Sequence, residues 1–146
     1  MENPSATWIV VETWVLAPVD HVWICWTDPG HVTGWNFASE DWHCPAAHND
    51  LKLGGVFSYT MAAKDGSFSF DFEGEFDVLE PNKLIGYLLG DGRLVRIEFL
   101  EHEGGTKVVE QFQAETMNPV DLQRDGWQAI LNQFKRYAES KGSIQG

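Results

Sequence analysis

Ser67 to Leu79 reads SFSFDFEGEFDVL. Phe68, Phe70, Phe72, Phe76 and Val78 alternate with Ser67, Ser69, Asp71, Glu73, Glu75 and Asp77, and Gly74 takes the remaining place in the apolar row. A period of two over this length is a long β-strand with one dry face and one acidic, solvated face. Burying a phenyl ring is worth about 1.5–3 kcal/mol. Four rings on one strand face therefore demand a cover, and the cover decides the fold.

Strands flank this one on both sides. Asp65-Gly66 is a tight hairpin signal, and Val56 to Ala63 before it places Phe57, Tyr59 and Met61 on one face. After the Pro81-Asn82 turn, Leu84 to Leu89 carries Ile85, Tyr87 and Leu89. Asp91-Gly92 turns the chain into a strand with Val95, Ile97 and Phe99, and Gly104-Gly105 into another over about Thr106 to Gln113. Near the N-terminus, Trp8 to Ala17 is a strand with Ile9, Val11, Thr13 and Val15 on one face. The face with Glu12 is the outer one, and Trp8 and Trp14 share it. Exposed there, they would form a patch for self-association; packed under a loop, they would not. A monomer or weak homodimer is expected.

Helices occupy the two ends. Pro18 suits a first helical position, and Val19, Val22, Trp23 and Trp26 follow helical spacing. Asp28 caps a second short helix beginning at Pro29, with Val32 and Trp35 inward. Asn36 to Asp50 has no period and reads as an irregular loop or short turns closing one end of the cavity between sheet and helix. Asn118 caps and Pro119 opens a long helix whose stripe includes Val120, Gln123, Trp127, Ile130, Leu131, Phe134, Tyr137 and Ala138. Gly126 within it costs about 1 kcal/mol against alanine and suits a close approach of the sheet.

The order is β-α-α, about six strands, then α. That is an α+β chain: a curved antiparallel sheet around a long C-terminal helix, with Phe68, Phe70, Phe72 and Phe76 facing that helix. One domain is expected over 1–146, frayed at about 1–6 and 141–146. At 146 residues and 43% hydrophobic, the chain can bury one sizeable core. A net charge of −12 without a Lys/Arg cluster argues against nucleic acid and against anionic membrane surfaces. No apolar run is long enough to span a membrane, and no leader pattern is visible, so a cytoplasmic location is expected. Cys25 and Cys44 form no disulfide pattern and no activated-thiol motif.

The chain resembles the helix-grip (START-like, SRPBCC) superfamily, which includes START domains and the birch-pollen allergen. More closely, it is similar to bacterial proteins like the C-terminal domain of the activator of the heat-shock-protein-90 ATPase. The resemblance spans about Trp8 to Glu139. It rests on APVDHVWICWTDPGHVTGWNFASEDWHCP, LKLGGVFSYTM, FDFEGEF, PNKLIGYLLGDGR, GGTKVVEQF and NPVDLQRDGWQAILNQFKRY taken together. It implies a deep apolar cavity between sheet and C-terminal helix, used in the superfamily for lipids, sterols or polyketides.

Three residue groups carry candidate chemistry. His43, Cys44 and His48, beside Asp41 and Asp50, lack zinc-site spacing, so no metal and no cofactor are expected. The carboxylates of the Phe-rich strand read as a solvated face. Glu110 shares the parity of Val108 and Phe112, which places a carboxyl in an apolar space where it must pair, protonate or meet a ligand; Arg124 is a candidate partner. The leading reading is a non-catalytic binding domain for a hydrophobic or amphipathic, lipid-like molecule. The candidate cavity wall is Trp23, Trp35, Phe57, Tyr59, Phe70, Phe72, Tyr87, Ile97, Glu110, Trp127 and Leu131. A module acting on a chaperone or another protein is the alternative, and a cyclase- or hydrolase-like enzyme the second.

Overall fold

The computed structural model describes residues 7–142. The elements are β1 (Trp8–Val15), α1 (Val19–Thr27), α2 (Pro29–Val32), β2 (Trp42–Asn49), β3 (Val56–Ala63), β4 (Ser69–Glu80), β5 (Leu84–Leu89), β6 (Leu94–His102), β7 (Gly105–Gln113) and α3 (Val120–Gly142). Of the ends expected to fray, 1–6 and 141–146, residues 1–6 and 143–146 lie outside the described residues, and Lys141 and Gly142 are the last of α3. One seven-stranded antiparallel sheet runs in the order β1-β7-β6-β5-β4-β3-β2. It curls around α3 in the expected helix-grip arrangement, with α1 and α2 at one end. Among the described residues, no helix is long and apolar enough to cross a membrane.

Strand parity builds most of the core. Ile9, Val11 and Val15 of β1, Val95, Ile97 and Phe99 of β6, and Val108 and Phe112 of β7 are all buried. The C-terminal half of α3 adds Leu131, Phe134 and Ala138. Phe134 lies 4.8 Å from both Trp26 and Trp35, which pins α3 to the short helices. In the N-terminal half, Trp127 stacks on Phe112 with ring centroids 3.7 Å apart.

The Phe-rich strand behaves differently from its expectation. Phe76 is buried, but Phe68 and Phe70 are 58% and 45% exposed. β4 outruns its cover: α3 reaches only as far as Phe72, through Trp127 at 5.9 Å. Beyond that point Phe68 and Phe70 lean on Trp42 of β2. A register shift between Phe76 and Val78 then changes the parity, so that Leu79 packs against the core. A bulge of this kind cannot be read from alternation alone.

Asn36 to Asp50 is not an irregular loop throughout. Trp42–Asn49 is the edge strand β2, paired to β3 with a register shift between His43 and Ala46. Pro45 falls in that shift, where the missing N–H costs no ladder bond. Helix starts also depart in detail. Pro18 stands just before α1 with extended backbone rather than inside it. Asp28 caps α2 as expected, its carboxylate accepting from the Gly30 N–H at 2.8 Å. α3 is not capped by Asn118. Gln123 instead reaches back, donating to the carbonyls of Asn118 and Glu115 and accepting from the Glu115 N–H.

Candidate functional site

The N-terminal half of α3 does not seat fully on the sheet. Between them lies a cavity of about 250 Å³. Its roof is one helical face, Gln123, Trp127 and Ile130. Its floor comes from three neighbouring strands: Tyr59 and Met61 of β3, Phe70 and Phe72 of β4, and Tyr87 of β5. Trp26, Trp35 and Asn36 close the end nearest α1 and α2, whereas Arg93 and Glu115 come from the turns around β6 and β7. Glu110 of β7 supplies a carboxyl.

Seven of the sequence-derived candidates meet here: Trp35, Tyr59, Phe70, Phe72, Tyr87, Glu110 and Trp127. Trp23, Phe57, Ile97 and Leu131 do not line the cavity. Trp23 packs on Phe99 at 5.3 Å, and the other three are core residues no more than 1% exposed. Phe57 is enclosed by Tyr59, Phe72, Phe76 and Tyr87. Four missed residues carry a sequence signal: Met61 shares the parity of Tyr59, Trp26 the helical spacing of Val22 and Trp23, and Gln123 and Ile130 the helical stripe of Trp127. Asn36, Arg93 and Glu115 come from turns, where no period marks direction.

Glu110 is 5% exposed, and burial pushes its carboxyl up to about 8. Among the described residues nothing hydrogen-bonds it. Arg124, its expected partner, is instead exposed on α3 and pairs with Asp121 at 2.9 Å. Register explains the miss: the helical face that meets the cavity is Gln123–Trp127–Ile130, and Arg124 lies about 100° around the helix from Gln123. Glu110 is therefore a neutral acid at neutral pH, able to donate one hydrogen bond and accept others. Burial keeps the Tyr87 hydroxyl protonated, and above the pH at which Glu110 ionises its charge acts in the same direction. Tyr59 is held protonated by burial, and its hydroxyl accepts from Asn49 at 3.4 Å.

The remaining candidates fall outside the cavity. His43, Cys44 and His48 lie along edge strand β2, and among the described residues no three His, Cys, Asp or Glu side chains gather as a metal site. Burial pushes both the Cys25 and Cys44 thiols up to about 11. Trp8 is 42% exposed, whereas Trp14 is packed, its indole N–H donating to the His102 carbonyl at 2.8 Å.

Comparison with known proteins agrees with this architecture. The family profile described as Activator of Hsp90 ATPase homolog 1-like protein matches residues 16–139. A search of curated proteins finds no match. Among solved structures, the chain is similar to the AHSA1-like protein from Aeromonas hydrophila, with 43% identity, a TM-score of 0.88, and coverage of 93% of this chain and 94% of that one. A protein from Cytophaga hutchinsonii is 51% identical, with a TM-score of 0.78 and 94% coverage of each chain. A protein from Nitrosomonas europaea shares the fold at 18% identity, with a TM-score of 0.80 and coverage of 97% and 99%.

Proposed function

The chain belongs to the family of Activator of Hsp90 ATPase homolog 1-like proteins, and on that premise we propose that it is a non-catalytic binding protein for a small hydrophobic or amphipathic molecule. The molecule sits between the sheet and the first half of α3, with its polar end at Glu110. One observation carries this reading: an aromatic-walled cavity of about 250 Å³ that contains a buried carboxyl without a protein partner. A native fold seldom leaves such a group without a hydrogen-bond partner. The volume lies just below the ~300–1,000 Å³ usual for small-molecule sites, which favours a compact occupant.

The cavity offers little for catalysis. Its polar groups include one neutral carboxyl and two tyrosines held in the protonated state. Neither cysteine lines it, and both thiols are pushed away from the reactive thiolate. The family description names a chaperone ATPase activator; a role of that kind would rest on an outer face and would leave the cavity without an occupant.

Native mass spectrometry of freshly purified protein tests the proposal. A co-purifying lipid-like molecule, lost on denaturation, is the expected result. Repeated absence of any adduct, together with no rise in Tm across a panel of small amphiphiles, would overturn it, because any ligand of the folded state must stabilise that state.

A further inference from the structure

Glu110 and Tyr87 are 5% and 6% exposed, and both line the cavity. Among the described residues neither side chain has a hydrogen-bond partner. They stand on β7 and β5, two places apart in the sheet with β6 between them. Register sets Glu110 opposite Ile97 and Tyr87 opposite Val95, successive inward-facing positions of β6. The neighbouring Tyr59 hydroxyl already accepts from the Asn49 amide. The inner wall of one cavity thus presents two polar groups without protein partners among aromatic side chains.

We propose that this pair is a subsite for an uncharged oxygen: the ligand presents a hydroxyl or carbonyl oxygen to the Glu110 carboxyl and the Tyr87 hydroxyl, and the site selects it over the matching carboxylate. The proposal rests on the reading of the cavity as a binding site. A ligand hydroxyl can accept from one group and donate to the other, and a carbonyl oxygen can accept from both. A carboxylate could accept the same bonds, but it would have to leave water for a wall whose one cation, Arg93, is already paired with Asp91. Arg93 is the one cation among the cavity's lining residues. Its Nε is bound to Asp91 at 2.8 Å and its Nη1 to the Gln113 carbonyl. Glu115, a second acid, lines the same cavity. The wall already drives its own carboxylate to protonate, and a second anion would face the same desolvation without relief. The chain's charge of −12 acts in the same direction.

Octan-1-ol and octanoate are matched probes of this choice. Binding of each is measured at neutral pH by isothermal titration, with wild-type protein and with Tyr87→Phe, Glu110→Leu and Glu110→Gln. Octan-1-ol is expected to bind at least about tenfold more tightly than octanoate, a difference of about 1.4 kcal/mol. Tyr87→Phe and Glu110→Leu should each weaken octan-1-ol by a comparable factor. Glu110→Gln, which keeps a donor and an acceptor, should retain most of the affinity. Equal affinities, or tighter octanoate lost in Arg93→Gln, would overturn the oxygen subsite and leave the binding function standing. Binding of neither probe would overturn both. The wild-type comparison decides the matter even where a variant fails to fold.

Discussion

The Phe57 ring lies across Gly74, its cross-strand partner on β4, so closely that a β-carbon at position 74 would sit 2.8 Å from the ring. Gly74 is the gap in the phenylalanine row, and the gap is filled from the neighbouring strand. Phe57 thereby drops to 1% exposure beneath Tyr59, Phe72, Phe76 and Tyr87. Gly74→Ala would force that ring off its seat. A loss of about 1–3 kcal/mol is expected in urea unfolding, as for other overpacked sites.

The same cluster separates core from cavity. Phe57→Ala should cost about 3–5 kcal/mol, because the ring is enclosed on all sides. Phe72 is only partly buried and lines the cavity. Phe72→Ala should cost less than half as much, since part of its surface already faces empty space. Equal losses would mean that no cavity persists beside Phe72 in solution.

Gly126 stands inside α3, and a β-carbon there would meet nothing within 4 Å. The close approach that its small size suggested is not made. Gly126→Ala should therefore stabilise the protein by up to about 1 kcal/mol, from helix propensity and a less flexible unfolded chain. Thermal unfolding checks the sign.

Glu110 imposes a pH dependence of definite direction. Its ordinary value is 4.5, and burial raises it to about 8 in the folded protein. Below 4.5 both folded and unfolded chains hold the proton, and the group adds no penalty. Between the two values the unfolded chain releases the proton and the folded chain keeps it. Its contribution then falls by up to about 1.4 kcal/mol per pH unit, and the loss is complete above the folded value. Glu110→Gln cannot ionise. The variant should match wild type near the acid end of that window and exceed it in stability at the alkaline end. Paired denaturation curves across the window measure the difference; parallel curves would show that Glu110 is hydrated.

Much of this fold was legible in the sequence because side-chain period follows backbone geometry. Ile9, Val95, Ile97, Val108 and Phe112 lie where alternation puts them, as do Leu131 and Phe134 on the helical stripe. Glu110 was legible on the same ground, since its strand neighbours fix its face. The misses have physical causes. Alternation on β4 says nothing about where the covering helix stops, so it places Phe68 and Phe70 under α3, whereas both are exposed. An edge strand pairs on one side and tolerates Pro45 within a bulge, so β2 showed no period. Arg93 and Glu115 reach the cavity from turns, and Arg124 lies one residue off the facing stripe of α3. Whether Phe57 and Ile97 lined the space or lay beneath it depended on sheet curvature, which no local pattern encodes.

The central claim is that a small amphipathic molecule occupies the space between α3 and the sheet. Isotope-filtered nuclear Overhauser measurements on labelled protein with unlabelled octan-1-ol test it most directly. The account requires cross-peaks from the alkyl chain to the rings of Trp127, Phe72 and Tyr87. Cross-peaks confined to the exposed Phe68 and Trp42 side, or none at saturating probe with the Trp127 resonances unmoved, would contradict it.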